Sequence, residues 1–411
     1  MLAGRPVVSP LRARVVSARP FRRAVMPNVL VLGARAPAAL EIARRFRHDG
    51  RAGAIVADSV SCRLSGWSSA AGASEPIAGP RLDAARFAAD LARIVAQRRI
   101  DLIVPTCEEA FWLSRYRGAL PAGVRVLVDD FDKLRELHSK LRFLELARGC
   151  GANVPDSAAV YDIGQAREWA AGRPLVLKPE YSRFGVHVRL YPQGMPADAA
   201  PLPLAQAWVA QRFHAGTELC SYSVADRGRL LAHSVYRPAY RLSRSSSFYF
   251  EPAPNAAIRG FVERFVAKIG YTGQVSFDWI VGDDGSATVL ECNPRATSGV
   301  HLFGAGDDLP AALLGADIAC LEARPARPRM LAPVMLGAGL AQALAQGRAR
   351  AWLRDWRRAD DVLSVPGDRL PPLGGLADLG AYAASALRRG GGLREAATRD
   401  IEWDGEELPD L

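Results

Sequence analysis

The sequence predicts a doubly wound α/β unit, then an α+β part with antiparallel sheets, then a helical C-terminal region. Three observations carry this. Short apolar runs alternate with helical patterns between residues 28 and 128, which implies a parallel sheet covered by helices. From Asn153 onward, short strands and hairpin turns replace that alternation. After Ala323–Pro328, strand patterning gives way to helix.

Taken in order, the first 26 residues hold Arg5, Arg12, Arg14, Arg19, Arg22 and Arg23 and no acidic residue. They lack the apolar stretch of a secretory signal, and they read as a disordered Arg-rich leader before a second start at Met26, with a transit peptide as the competing reading. Asn28–Leu32 is a strand ending at Gly33, and Ala38, Ile42 and Phe46 mark a helix. Ala54–Ala57, closed by Asp58, is the second strand. A helix near Ala84–Gln97 leads into Asp101–Pro105, and another near Glu108–Tyr116 precedes Val124–Val128. The first turn, Gly33-Ala34-Arg35-Ala36-Pro37, lacks the three-glycine dinucleotide fingerprint, so Asp58 is expected to cap a strand end rather than hold a ribose. One helix is expected from Asp132 to Arg148, with Leu134, Leu137, Leu141 and Leu144 on its apolar side and a stop at Gly149-Cys150-Gly151. Strands follow at Leu175–Lys178, Val186–Leu190, Trp208–Phe213, Leu219–Val224, Leu230–Tyr236, Val275–Val281 and Ala287–Glu291. The Pro/Ala/Gly stretch Tyr191–Pro203 is expected to join two lobes.

Composition narrows the function. The 411 residues are 49% apolar and 23% charged, enough for two or three globular domains. No 18-residue stretch is purely apolar, which argues against a membrane span. Six scattered cysteines form no C-x-x-C, so neither a disulfide framework nor a zinc site is indicated, and a cytoplasmic location is expected. The net charge of +10 falls to +4 without the leader, which removes most of the support for a nucleic-acid partner. The basic amphipathic stretch Arg348–Arg358, with Trp352, Leu353 and Trp356 on one side, is expected to dock on the body of the protein rather than on a membrane, partly neutralised by the acidic end Asp400–Leu411. Only Lys133, Lys140, Lys178 and Lys268 are lysine among 53 basic residues. Where arginine is the habitual cation, a lysine suggests a need for a compact ammonium, as at a nucleotide phosphate.

The chemistry concentrates between Val275 and Arg295. Two strands flank Gly282-Asp283-Asp284-Gly285-Ser286, and a loop at Asp283–Ser286 sets Asp278 directly opposite Glu291. Like charges about 5 Å apart across a hairpin destabilise it unless something sits between them. A divalent cation resolves the conflict, and Asn293, on the same face, completes an oxygen set suited to Mg²⁺ with positions left for phosphate and water. Arg295 comes next on that face, suited to the oxygens of a transferring phosphoryl group.

With Lys178 at the end of a strand, the segment Gln211-Arg212-Phe213-His214-Ala215-Gly216-Thr217-Glu218, Asp278, and Glu291-Cys292-Asn293-Pro294-Arg295, the sequence resembles the ATP-grasp superfamily, in order and in spacing. The resemblance covers about Asp132–Leu321, and the α/β part before it looks like the pre-ATP-grasp domain of the carbamoyl phosphate synthase and biotin carboxylase branch. It implies a Rossmann-like pre-ATP-grasp domain at 27–131, a first lobe at 132–205, a second lobe at 206–328 and a helical region at 329–411. It implies that Lys140 and Lys178 bind phosphates, that Gln211, Arg212 and His214 meet the adenine, and that Glu218 holds the ribose. Asp278, Glu291 and Asn293 would ligate Mg²⁺, with Mn²⁺ as a substitute, and Arg295 with Lys178 would be catalytic. The phosphate-covering loop Tyr181-Ser182-Arg183-Phe184-Gly185-Val186 departs from the family in having a single glycine, and Gln211 stands where an acid is frequent.

The implied activity is an ADP-forming ligase that phosphorylates a small-molecule carboxylate to an acyl phosphate and couples it to an amine. Arg237 and Arg241, flanking Tyr240, are candidates for the substrate carboxylate, while His301 reads as structural. A homodimer is common among similar enzymes. Two other readings keep ATP: a bicarbonate-phosphorylating carboxylase or carbamoyl-phosphate-type enzyme, weakened because no biotin-carrier or glutaminase segment is seen, and an ATP-binding protein without turnover. No phosphate loop of the G-x-x-x-x-G-K type, no G-x-S-x-G elbow and no H-E-x-x-H occurs.

Overall fold

Five segments, β1 (Asn28–Leu32), β2 (Gly53–Asp58), β3 (Ala73–Pro76), β4 (Leu102–Val104) and β5 (Arg125–Val126), form a parallel sheet in the order β3-β2-β1-β4-β5. β1 is buried on both faces beyond its first residue, as a strand with helices on either side must be. Three of those helices are α1 (Pro37–Asp49), α2 (Ala84–Arg98) and α3 (Glu109–Tyr116). Because strand order reverses between β1 and β4, their carboxyl ends border a crevice. Gly33 turns the chain there at φ +74°, and a Cβ on it would stand 2.4 Å from the Thr106 hydroxyl, so only glycine fits. The structure is a computed structural model that describes residues 27–49, 53–182, 187–203, 206–242 and 246–411. The leader, Arg183–Val186 of the phosphate-covering loop and Arg244 lie outside the described residues.

The helix expected over Asp132–Arg148 is two helices, α4 (Phe131–His138) and α5 (Arg142–Gly149). The break comes from competing partners. The Ser139 hydroxyl donates to the Glu180 carboxylate and accepts from the Arg142 amide at 3.2 Å, while the Lys140 amide donates to the Glu180 carbonyl at 3.4 Å.

A second sheet is antiparallel, in the order β6-β9-β7-β8, from β6 (Ser157–Val160), β7 (Leu175–Pro179), β8 (Arg189–Tyr191) and β9 (Trp208–Arg212); α6 (Ile163–Ala170) covers it, started by Asp162 accepting from the Gln165 amide. This corrects the expectation for Tyr191–Pro203. That stretch leads from β8 towards β9 of the same sheet, and the passage to the next sheet falls at Phe213–Gly216. A Cβ on Gly216 would lie 2.5 Å from the Val281 carbonyl oxygen, so the crossing needs glycine.

The third sheet is built on β10 (Thr217–Asp226), β11 (Arg229–Pro238), β12 (Tyr249–Pro252), β13 (Gly273–Val281) and β14 (Ala287–Asn293), in the order β14-β13-β10-β11-β12. α7 (Ala256–Ile269), unforeseen from sequence, packs Phe261 and Phe265 edge-on against Phe277. Its Asn255 cap and its buried Ile258, Phe261, Val262, Phe265 and Val266 give a helical period that was legible. After α8 (Leu309–Leu313), the short strands β15 (Leu321–Glu322), β16 (Arg329–Met330) and β17 (Asp360–Asp361) extend this sheet. The C-terminal helices are α9 (Ala332–Val334), α10 (Leu340–Ala345), α11 (Ala349–Arg358), α12 (Pro371–Arg389) and α13 (Leu393–Ala396).

α11 docks as expected: Trp352 is buried, donates to the Met335 carbonyl at 3.0 Å and stacks on Trp356. The acidic end does something else. Asp400 joins the buried Arg35–Asp58 pair after β2, Glu402 and Asp404 meet Arg81 at 3.2 and 2.9 Å, and Trp403 is buried among Phe111, Phe131, His138 and Tyr181. The segment therefore crosses the mouth of the parallel sheet instead of neutralising α11. Among the described residues, no helix is long and apolar enough to cross a membrane.

Candidate active site

The β13–β14 hairpin sets the register of the site. Nearest the turn, Val281 pairs with Ala287 and Trp279 with Val289; a bulge then leaves Leu290 without a partner, and Asp278 falls opposite Glu291. The irregularity restores the pairing that the sequence predicts, although the turn is one residue out of that register. Ser276 pairs with Asn293, so Asp278, Glu291 and Asn293 share one sheet face. Cys220 of β10 is also opposite Asp278 and its thiol bonds to that carboxylate, a neighbour that sequence reading missed because β10 is remote in the chain.

Two buried lysines approach this face, one from the other antiparallel sheet and one from the break between α4 and α5. Lys178, at the end of β7, places Nζ 3.4 Å from the bulged Leu290 carbonyl and 3.8 Å from Glu291 Oε2. Lys140, in the break between α4 and α5, donates Nζ to the carbonyls of Ser182 at 2.8 Å and Glu180 at 3.3 Å, where the phosphate-covering loop begins. Burial pulls Lys140 down to about 8, opposed by the charge of Glu291, and burial also lowers Lys178. Burial and the charge of Glu291 push Asp278 well above the usual carboxylate range. Burial would raise Glu291 too, but the Lys140 and Lys178 ammoniums and a hydrogen bond from Asp278 hold it low. Asp278 thus keeps a proton that a divalent cation would replace. Among the described residues no group of three or more His, Cys, Asp or Glu could hold a metal; the Asp278, Glu291 and Asn293 face offers two carboxylates and an amide, oxygen donors of the kind taken by a cation that keeps phosphate oxygens and water. The residues fit Mg²⁺.

Arg295 lies just beyond β14, with Nη2 donating to Asn293 Oδ1 at 3.2 Å and Nε 3.9 Å from Glu108. It lines a 330 Å³ cavity with the Arg35–Ala38 turn, Phe250, His301, Tyr382 and Ile401. His301 is buried, 3.3 Å from Glu41 and stacked on Phe250, in keeping with a structural histidine.

The remaining candidates separate into two places. Gln211 is buried in β9 and donates to Ser157 at 3.3 Å; Arg212 lies over the Trp169 ring and donates to carbonyls of α6, and His214 is exposed beside them. Glu218 pairs with Arg241 at 2.8 Å and shares a 590 Å³ cavity with Arg237, which pairs with Glu251. Arg241 and Arg237 are therefore brought together with Glu218, not with Arg295.

No family model and no curated protein matches the sequence. Solved structures do match. N5-carboxyaminoimidazole synthetase from Staphylococcus aureus, complexed with ADP, superposes at a TM-score of 0.55 over 74% of this chain and 80% of that one, at 14% identity. The chain has the ATP-grasp fold. L-amino acid ligase from Bacillus licheniformis shares it (TM-score 0.52, 16% identity, 74% of this chain and 78% of that one). So does the biotin carboxylase domain dimer of Hydrogenobacter thermophilus 2-oxoglutarate carboxylase, solved with MgADP and bicarbonate (TM-score 0.55, 14% identity, 73% of each chain). Within the ATP-grasp fold, the face bearing Asp278 and Glu291 looks across to Lys178 of the smaller antiparallel sheet.

Proposed function

We propose that this chain is an ATP- and Mg²⁺-dependent ligase that phosphorylates an organic carboxylate and couples it to an amine. The observation that carries the reading is the half-buried Asp278–Glu291 pair in register, with Lys178 and Lys140 facing it. ATP would lie between the two antiparallel sheets, its phosphates neutralised by both lysines and its ribose at Glu218. Mg²⁺ held by Asp278, Glu291 and Asn293 would screen the phosphate oxygens from the incoming nucleophile. Arg295 is placed to orient the acceptor carboxylate and to stabilise charge on the transferring phosphoryl group. The carboxylate oxygen attacks the γ-phosphorus, the bond to the β-phosphate oxygen breaks, and ADP departs. The amine then attacks the acyl carbon of the acyl phosphate, phosphate leaves with the bonding electrons, and the amine loses a proton. Burial of Lys178 and Lys140 keeps competing water away from the phosphates.

The bicarbonate-phosphorylating alternative fits less well. The cavity beside Arg295 is 330 Å³ with Phe250, Leu331 and Ile401 in its wall, far more apolar space than bicarbonate fills. The test is ADP release by the purified chain with ATP, Mg²⁺, pooled organic acids and hydroxylamine, which traps acyl phosphates as hydroxamates. A hydroxamate with stoichiometric ADP is the expected result, and ADP release that depends on bicarbonate alone would move the reading to the carboxylase class.

A further inference from the structure

The 330 Å³ cavity beside Arg295 is assembled from distant pieces of chain, chiefly the Arg35–Ala38 turn after β1, Thr106–Glu108 after β4, the residues just beyond β14, and Ala397, Thr398 and Ile401 near the C-terminus. Its polar end is Arg295 with Thr297 and Ser298. Ala36, Pro37, Phe250, Leu331, Ala397 and Ile401 form its apolar wall, and Thr106, Cys107, Tyr382 and Thr398 add neutral polar groups to the lining.

The charged groups around the cavity are already committed. Arg35 is buried and bonded to both Asp58 and Asp400, and it also donates to the Ala397 carbonyl at 2.7 Å. His301 is paired with Glu41. Glu108 accepts from the Trp403 amide at 3.3 Å and lies 3.9 Å from Arg295. A second anionic group on an acid whose carboxylate sits at Arg295 would meet only a cation already paired, Arg35 with Asp58 and Asp400, and an ammonium would have to compete with Arg295 and the Trp403 amide for Glu108, so a second charge buried against these walls is costly.

The C-terminal wall is held in place by its main chain. Arg35 holds the Ala397 carbonyl, the Trp112 indole donates to the Ile401 carbonyl at 3.1 Å, and Trp403 is buried two residues further on. With the backbone fixed in this way, the side chains of Ala397 and Ile401 set the depth of the cavity. On the other side of Thr398 lies a separate 620 Å³ cavity lined by Tyr181, Ser182 and Arg394, so this segment partitions two compartments.

We infer that the acceptor is a monocarboxylate with an apolar body, and that Ala397 and Ile401 limit its length. The inference rests on the ligase reading and goes beyond it to the substrate class. The test uses the full chain with ATP, Mg²⁺ and hydroxylamine. Straight-chain monocarboxylates of rising length are compared with dicarboxylates and α-amino acids of matched length. The best monocarboxylate should exceed its dicarboxylate and amino-acid counterparts by at least about 10-fold in kcat/KM. Ala397→Leu should cut kcat/KM for the longest accepted acid relative to the shortest by about 10-fold, and Ile401→Val should shift the length limit upward, since one methylene in an apolar pocket discriminates by about 10- to 200-fold. Ile401→Val serves where Ala397→Leu fails to fold, as judged by thermal melting. Dicarboxylates or amino acids used as well as monocarboxylates would overturn the charge argument. An unchanged length profile in a folded, ADP-releasing variant would overturn the C-terminal wall. No ADP from any acid, with ATP still bound, would remove the ligase reading and this inference together.

Discussion

The phosphate-handling face and the cavity beside Arg295 adjoin, yet they are built in opposite ways. Asp278, Glu291 and Asn293 sit on one hairpin, within sixteen residues of chain, and their shared face follows from strand alternation. The cavity wall draws on residues 35–38, 106–108, 250, 295–301, 331, 382 and 397–401, which only tertiary packing brings together. In the proposed reading, the groups that hold the cation and phosphates lie on a short rigid element, and the cavity for the substrate lies where distant segments meet.

The sharpest way to break this contrast is Asp278→Asn. It is expected to lower ADP release by about 1,000-fold, about 4 kcal/mol of transition-state stabilisation, with the far-UV spectrum and melting temperature retained. An active variant would mean that the hairpin face is not the cation site. Next in size, Trp403→Ala should cost about 3–5 kcal/mol of stability in urea unfolding, because it empties a site packed by Phe111, Phe131, His138 and Tyr181. A loss under about 1 kcal/mol would show the segment to be an exchangeable strap and not a wall. The smallest effect concerns pH. With Lys140 titrating at about 8, inorganic triphosphate should bind the free protein about 10-fold more weakly at pH 9 than at pH 7, since the ammonium loses its proton across that interval. Lys140→Arg should make the profile shallower, because a guanidinium stays charged and only the loss of the Asp278 proton then adds negative charge over this interval. A wild-type profile that is already flat would remove Lys140 from the phosphate site.

The pairing of Asp278 with Glu291 was legible because alternation and turn chemistry act over a few residues. It held even though the turn is one residue out of register, since the bulge at Leu290 restores the pairing and gives Lys178 a carbonyl to bind. α7 was also legible, in its Asn255 cap and its apolar period, although no element was assigned between Tyr236 and Val275. The break at Ser139–Lys140 was not legible. Leu134, Leu137, Leu141 and Leu144 continue a helical period through it, and the groups that interrupt the helix belong to Glu180, some forty residues later.

By itself, then, the sequence determined the parallel sheet at 28–128, the positions of most antiparallel strands along the chain, the lysines and the oxygen set of the hairpin. These rest on hydrophobic period, turn residues and charge spacing, which are local properties of the chain. Tertiary structure alone decided where the two antiparallel sheets divide, how Lys140 leaves its helix and where the last residues go. Asp400 and Trp403 look like an acidic tail in one dimension, and they become a buried ion pair and a core aromatic because their partners, Arg35 and Phe111, stand hundreds of residues away. Packing of that range leaves no period in the sequence, only a tryptophan among acids.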